Sequence, residues 1–170
     1  MRTHFPVPIL FLLIASLCWV AFRSFGGTTS ASDLPAVLTE IEGAKPNKYF
    51  KRVNDIPIPV RKAFAQVMSG KEFKMADKGG AWNKTDVVTN PSLPFRRLIW
   101  AVEIKGYYVI HYEWGGYAYS THYLIAAPDK EKDKWSVVWS AAAFERSRDF
   151  PAFITDLKKG KLNTDSKLGH

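Results

Sequence analysis

Residues 96–143 read RRLIWAVEIKGYYVIHYEWGGYAYSTHYLIAAPDKEKDKWSVVWSAAA. Four runs rich in valine, isoleucine, tyrosine and tryptophan lie in it, at 97–105, 107–114, 117–127 and 135–143. These residue types suit a pleated, half-buried surface. Lys105-Gly106, Gly115-Gly116 and the charged stretch 128–134 separate the runs. The pattern predicts an antiparallel meander, and with the helical segments around it an α+β fold.

Side chains alternate faces along a strand, so the turns decide which residues share a side. A two-residue primed turn at Gly115-Gly116 would pair Trp114 with Tyr117, and His111 with Ser120. A turn at Lys105-Gly106 pairs Ile104 with Tyr107 and Trp100 with His111. One face then carries Leu98, Trp100, Val102, Ile104, Tyr107, Val109, His111, Glu113, Ser120, His122 and Leu124. The other carries Arg97, Ile99, Glu103, Tyr108, Ile110, Tyr112, Trp114, Tyr117, Tyr119, Thr121 and Tyr123. That second face is a field of phenol and indole rings with polar tips, suited to a half-wet binding surface.

Outward from the sheet, residues 59–69 predict a helix with Pro59 in its first turn. Val60, Ala63, Phe64, Val67 and Met68 fall on one stripe, which the pattern assigns to the first, more apolar face. Residues 33–42 predict a short helix, with Leu34, Val37, Leu38 and Ile41 on one side. Residues 149–159 predict a last helix, capped by Asp149 and stopped by Gly160. The stretch 44–57 reads as an irregular connection, 71–84 as a loop with an edge strand, 86–89 as a short strand and 90–94 as a turn. Helix, meander and second helix are similar in layout to cystatin-like domains, an analogy of arrangement that carries no function.

Residues 5–22, from Phe5 to Phe22, hold no charge and are bounded by Arg2 and Arg23. About eighteen residues at 1.5 Å each just cross a hydrocarbon core of roughly 30 Å. The expected organisation is a membrane anchor or signal segment at 1–23, a flexible linker at 24–32, an extracytoplasmic domain at 33–160 and a frayed tail at 161–170. A secreted protein released by signal-peptide cleavage is the alternative. Cys18, the only cysteine, lies in the apolar run, so no intrachain disulfide and no cysteine metal site forms in the domain.

The chain carries a net charge of +8, of which +6 remains without Arg2 and Arg23. Such a balance favours anionic partners, namely nucleic acid, anionic lipid head groups or an acidic envelope component, with a protein partner as the alternative. Nucleic acid is disfavoured, because the basic-glycine-aromatic string of sheet-surface RNA binders is missing. No phosphate-binding glycine loop and no HExxH spacing occurs. His111, Glu113 and His122 would share a face under the turn drawn above, and would there form a general acid–base set or a metal site. Asn83-Lys84-Thr85 is formally a glycosylation triplet.

The residues therefore favour a membrane-anchored, non-enzymatic binding module without a cofactor. Its expected contact residues are Tyr108, Tyr112, Trp114, Tyr117, Tyr119 and Tyr123, with Arg96, Arg97 and Lys105 drawing in an anionic partner. The alternatives are a small hydrolase or metal enzyme centred on His111, Glu113 and His122, and a structural homodimer joined through the aromatic face.

Overall fold

Strands β2 (Arg96–Ile104), β3 (Tyr107–Trp114), β4 (Ser120–Pro128) and β5 (Trp135–Ala143) form the expected meander, joined at one edge by β1 (Lys48–Phe50). All pairings are antiparallel, in the order β1-β2-β3-β4-β5. The computed structural model describes residues 34–68, 72–88, 90–129 and 134–162. Helices α1 (Leu34–Ile41), α2 (Ile58–Val67) and α3 (Phe150–Lys158) complete the α+β fold. No helix among the described residues is long and apolar enough to cross a membrane. The 5–22 segment lies outside them, as do the linker and residues 163–170.

The β2–β3 hairpin follows its sequence. Lys105 and Gly106 both take positive φ, 47° and 81°, as a primed two-residue turn requires. Ile104 faces Tyr107 and Trp100 faces His111. A bulge between Leu98 and Trp100 then leaves Ile99 without a counterpart. Leu98 consequently joins Tyr112 on one side, and Arg97 comes opposite Glu113 on the other.

The two-residue reversal expected at Gly115-Gly116 is not formed. Trp114 pairs with Ser120, leaving 115–119 as a five-residue loop. The segment before the meander is the cause. Asn83 and Lys84 pass so close that a Cβ on Gly115 would sit 2.3 Å from the Asn83 carbonyl oxygen. Gly115 N–H donates to Phe95 O, Gly116 N–H donates to Lys84 O, and Thr85 bridges to Gly116. The glycines serve a chain crossing and not a tight turn.

That odd shift in register turns β4 over relative to β3. Tyr123 shares a side with His111, and His122 shares the opposite side with Tyr112. The facial assignment drawn from the sequence is therefore corrected, and so is the seat of the 59–69 helix. Val60 and Phe64 of α2, with Met68 at its C-cap, pack with Leu98, Ile110, Tyr112 and Leu124, with Tyr108 and Trp114 at the margin. Val37 and Ile41 of α1, with Phe150 and Phe153 of α3, cover Trp100, Val102, Val109, Tyr123 and Trp139 on the other side. Both faces are roofed, which satisfies the need to keep so much apolar area from water.

Smaller departures have local causes. The 44–57 connection contains β1, whose Phe50 is buried, and a 3₁₀ turn at Val53–Asp55. Residues 72–88 make two single bridges, Ala76 to Arg97 and Thr85 to Gly116, in place of the strands expected there. Leu162, expected in a loose tail, is buried beside α3. The α3 cap is as expected, with Asp149 Oδ1 accepting from Ala152 N–H at 2.9 Å.

Candidate functional site

One end of the sheet gathers the beginning of β2, the end of β3, the beginning of β4 and the turn after β5. Glu113 lies at its centre, fully buried although it is a carboxylate. A buried charge must be paired to persist. Arg97 Nε donates to Oε2 at 2.7 Å, and the Arg97 guanidinium reaches that oxygen a second time. Arg146 closes an ion pair to Oε1. Tyr119 OH donates to the same Oε1 at 3.2 Å and accepts from Arg146 Nε at 2.6 Å. Trp82 lies under the Arg97 guanidinium at 5.0 Å, and the Tyr119 ring lies 5.6 Å from that of Arg146. Charge-assisted bonds and ring contacts of this sort fix side chains that would otherwise be loose.

The loops pinned by this cluster carry the most exposed rings of the domain. Tyr117 is 97% exposed and Phe144 92%. Val87 and Val88, just beyond the Thr85–Gly116 bridge, are exposed too.

Of the six aromatic contact residues expected from the sequence, two are closed off. Tyr112 lies under α2 and Tyr123 under α3. Tyr123 OH donates to Ser147 Oγ at 2.8 Å and accepts from Ser147 N–H, while Ser147 Oγ donates to Asp156 of α3. Tyr108 and Trp114 are half-buried at the margin of the α2 face, with Tyr108 OH donating to Glu103. Tyr117 and Tyr119 belong to the five-residue loop at the end described above. Arg96 is held against Trp114 at 4.7 Å and donates to Met68 O. Lys105 lies at the opposite end of the sheet, in the β2–β3 turn.

The structure does not bring His111, Glu113 and His122 together. His111 and Glu113 point to the α1 and α3 side, and His122 points to the α2 side. His111 stacks on Tyr123 at 4.1 Å and meets the edge of Trp100 at 5.2 Å. Among the described residues, neither of its ring nitrogens finds a hydrogen bond of ordinary geometry. Burial first, then the Arg146 charge, lowers its pKa to about 3, with the Ser147 backbone acting in the opposite direction. His122 stacks on Tyr112, and burial, then Arg96, lowers its pKa to about 4. Its Nε2 lies 2.8 Å from Ser120 Oγ, but among the described residues Nδ1 has no partner to orient it. A base so weak, with nothing behind it, is poorly matched to activating a hydroxyl at neutral pH. Among the described residues, no three histidine, cysteine, aspartate or glutamate side chains are placed to hold a metal ion.

Asn83 is buried, and its amide donates to Asn90 O and Leu93 O at 2.9 Å each. The glycosylation triplet is therefore closed in the folded domain. Trp82, Phe144 and Arg146 are absent from the sequence-based set. The signal for Arg146 was present: a glutamate inside the run VIHYEW demands a cation, and FERSR follows the last strand.

Comparison of the chain with family models, with curated proteins and with solved structures finds no match.

Proposed function

We propose that the chain is a membrane-tethered extracytoplasmic binding domain, not an enzyme, that engages a protein partner through the aromatic and arginine end of its sheet. Residues 5–22 serve as the anchor, 24–32 as the tether, and the domain stands outside the bilayer. The observation that carries the reading is the near-complete exposure of Tyr117 and Phe144 on loops held by the Arg97–Glu113–Arg146 cluster. Large rings cost free energy in water, and held loops lose little further entropy on binding. Tryptophan, tyrosine and arginine are also the residues that dominate measured interface energetics.

Photo-crosslinking in the native membrane tests it. A photoreactive residue in place of Tyr117 or Phe144 gives one discrete adduct to another protein, and the same residue at exposed Lys51 gives none. Arg146→Ala reduces the yield tenfold or more, on the order expected for a contact hot spot. An adduct of twice the chain mass makes the surface a homodimer interface. Equal, diffuse labelling at all three positions overturns the binding role. For location, Tyr117→Cys in a Cys18→Ser background reacts with a membrane-impermeant maleimide on intact cells. Labelling only after lysis would put the domain inside.

A further inference from the structure

The two edges of the sheet differ. On the β1 side, β1 covers the later half of β2, and Ala76 continues that edge by bonding to Arg96 and Leu98. On the other side β5 has β4 as its only strand neighbour among the described residues. None of its backbone groups bonds outward to another described residue. Its sequence, WSVVWSAAA, contains no charge and no proline over nine residues. Exposed edges ordinarily carry such guards against pairing with other chains. Among the described residues, a bulge at Val138 is the one guard on this edge.

Beside this edge, α2 and β5 enclose a groove of about 390 Å³. Trp135 and Ser136, which point to opposite faces, both line it together with Pro59, Lys62 and Gln66 of α2. Asp129 and Lys134, on either side of the β4–β5 turn, line it as well, so the groove lies where β5 begins. Lys62 lines the groove, exposed and without an ion pair among the described residues. Among the described lining residues Asp129 and Lys134 carry opposite charges, and Lys62 adds one positive charge.

We infer that β5 is a docking edge for an extended peptide segment of a partner protein, added as a sixth strand. Its main chain pairs with the outward groups of β5, and a side-chain or terminal carboxylate is received by Lys62 in the α2 groove. Backbone pairing supplies affinity in this mode, and the groove supplies selection. The charge of Lys62 and the net +8 of the chain favour an acidic segment over a neutral one. This surface is separate from the aromatic end and stands whether or not that end binds a partner.

The test uses the full chain and a synthetic nonapeptide of alternating valine and threonine ending in aspartate. Backbone amides of Trp135–Ala143 that point away from β4 gain protection from hydrogen exchange when the peptide is added. A version of the peptide with a central proline gives no protection. Lys62→Glu weakens binding about fivefold or more, the order expected for reversing one partly exposed charge contact. Tyr117→Ala binds the peptide as the parent does, which separates this edge from the aromatic end. Three results overturn the inference. One is no protection at millimolar peptide. Another is unchanged binding by Lys62→Glu. The third is β5 protection without peptide in a species of twice the chain mass, which assigns the edge to a second copy.

Discussion

Glu113 shows what one buried charge does to its surroundings. Glu113→Gln leaves Arg97 and Arg146 facing a neutral amide, and breaking buried pairs costs about 3–5 kcal/mol. Arg146 is 48% exposed at its side chain and keeps part of its hydration, so a loss of about 2–3 kcal/mol in urea unfolding is expected. Arg146→Ala costs less, because Arg97 still holds Oε2. The two histidines predict a pH dependence. Each has a folded pKa below that of the unfolded chain, so the unfolded state binds the extra proton. Their contribution is complete above the unfolded value of about 6.5. It is lost progressively as pH falls below that value, and the loss is complete only once pH has passed about 4 for His122 and about 3 for His111. Between pH 7 and pH 5 the expected loss is about 2 kcal/mol for each histidine. His122→Gln removes its share of that slope, which denaturation at the two pH values reads directly.

Elements were legible wherever local chemistry decided them. Strands β3 and β5 start and stop where their residue types do, the Asp149 cap forms, and the Lys105-Gly106 turn sets the β2–β3 register. That turn also offers a prediction. Lys105 holds a left-handed conformation that costs a side chain about 1 kcal/mol, so Lys105→Asn should raise the thermal midpoint by a few degrees. Illegible were the features imposed by distant chain. Nothing near Gly115 announces that Asn83 and Lys84 run against it, and the misread turn carried the faces of β4 with it. Gly115→Ala would place a methyl group on the Asn83 and Lys84 carbonyls. A loss of about 1–3 kcal/mol follows, with faster amide exchange in 80–88 as the specific sign. The β1 strand was missed for another reason: three residues give no periodicity to read, and only Phe50 is buried.

At the scale of the molecule, three layers explain why the aromatic content exceeds what one core needs. Each face of the sheet has its own roof, and the rings left over appear at one end. Sequence composition indicated the surplus but could not locate it, because position depends on which strand is turned over. The roof on the His111 side is held by Ser147, whose carbonyl accepts from Trp100 and whose hydroxyl joins Tyr123 to Asp156. Truncation before Phe150 removes Phe150, Phe153 and that joint, and is expected to abolish cooperative thermal unfolding. The β2 bulge has a consequence for how such a gene drifts. In a regular strand, losing one codon transposes everything upstream to the wrong side of the layer. Losing the Ile99 codon does the reverse: Leu98 already faces Tyr112 and Trp100 already faces His111, so the shortened strand is the orderly one. A relative of this chain missing that single position would keep Arg97 opposite its carboxylate, and its tolerance of the gap would show that the extra residue was an insertion.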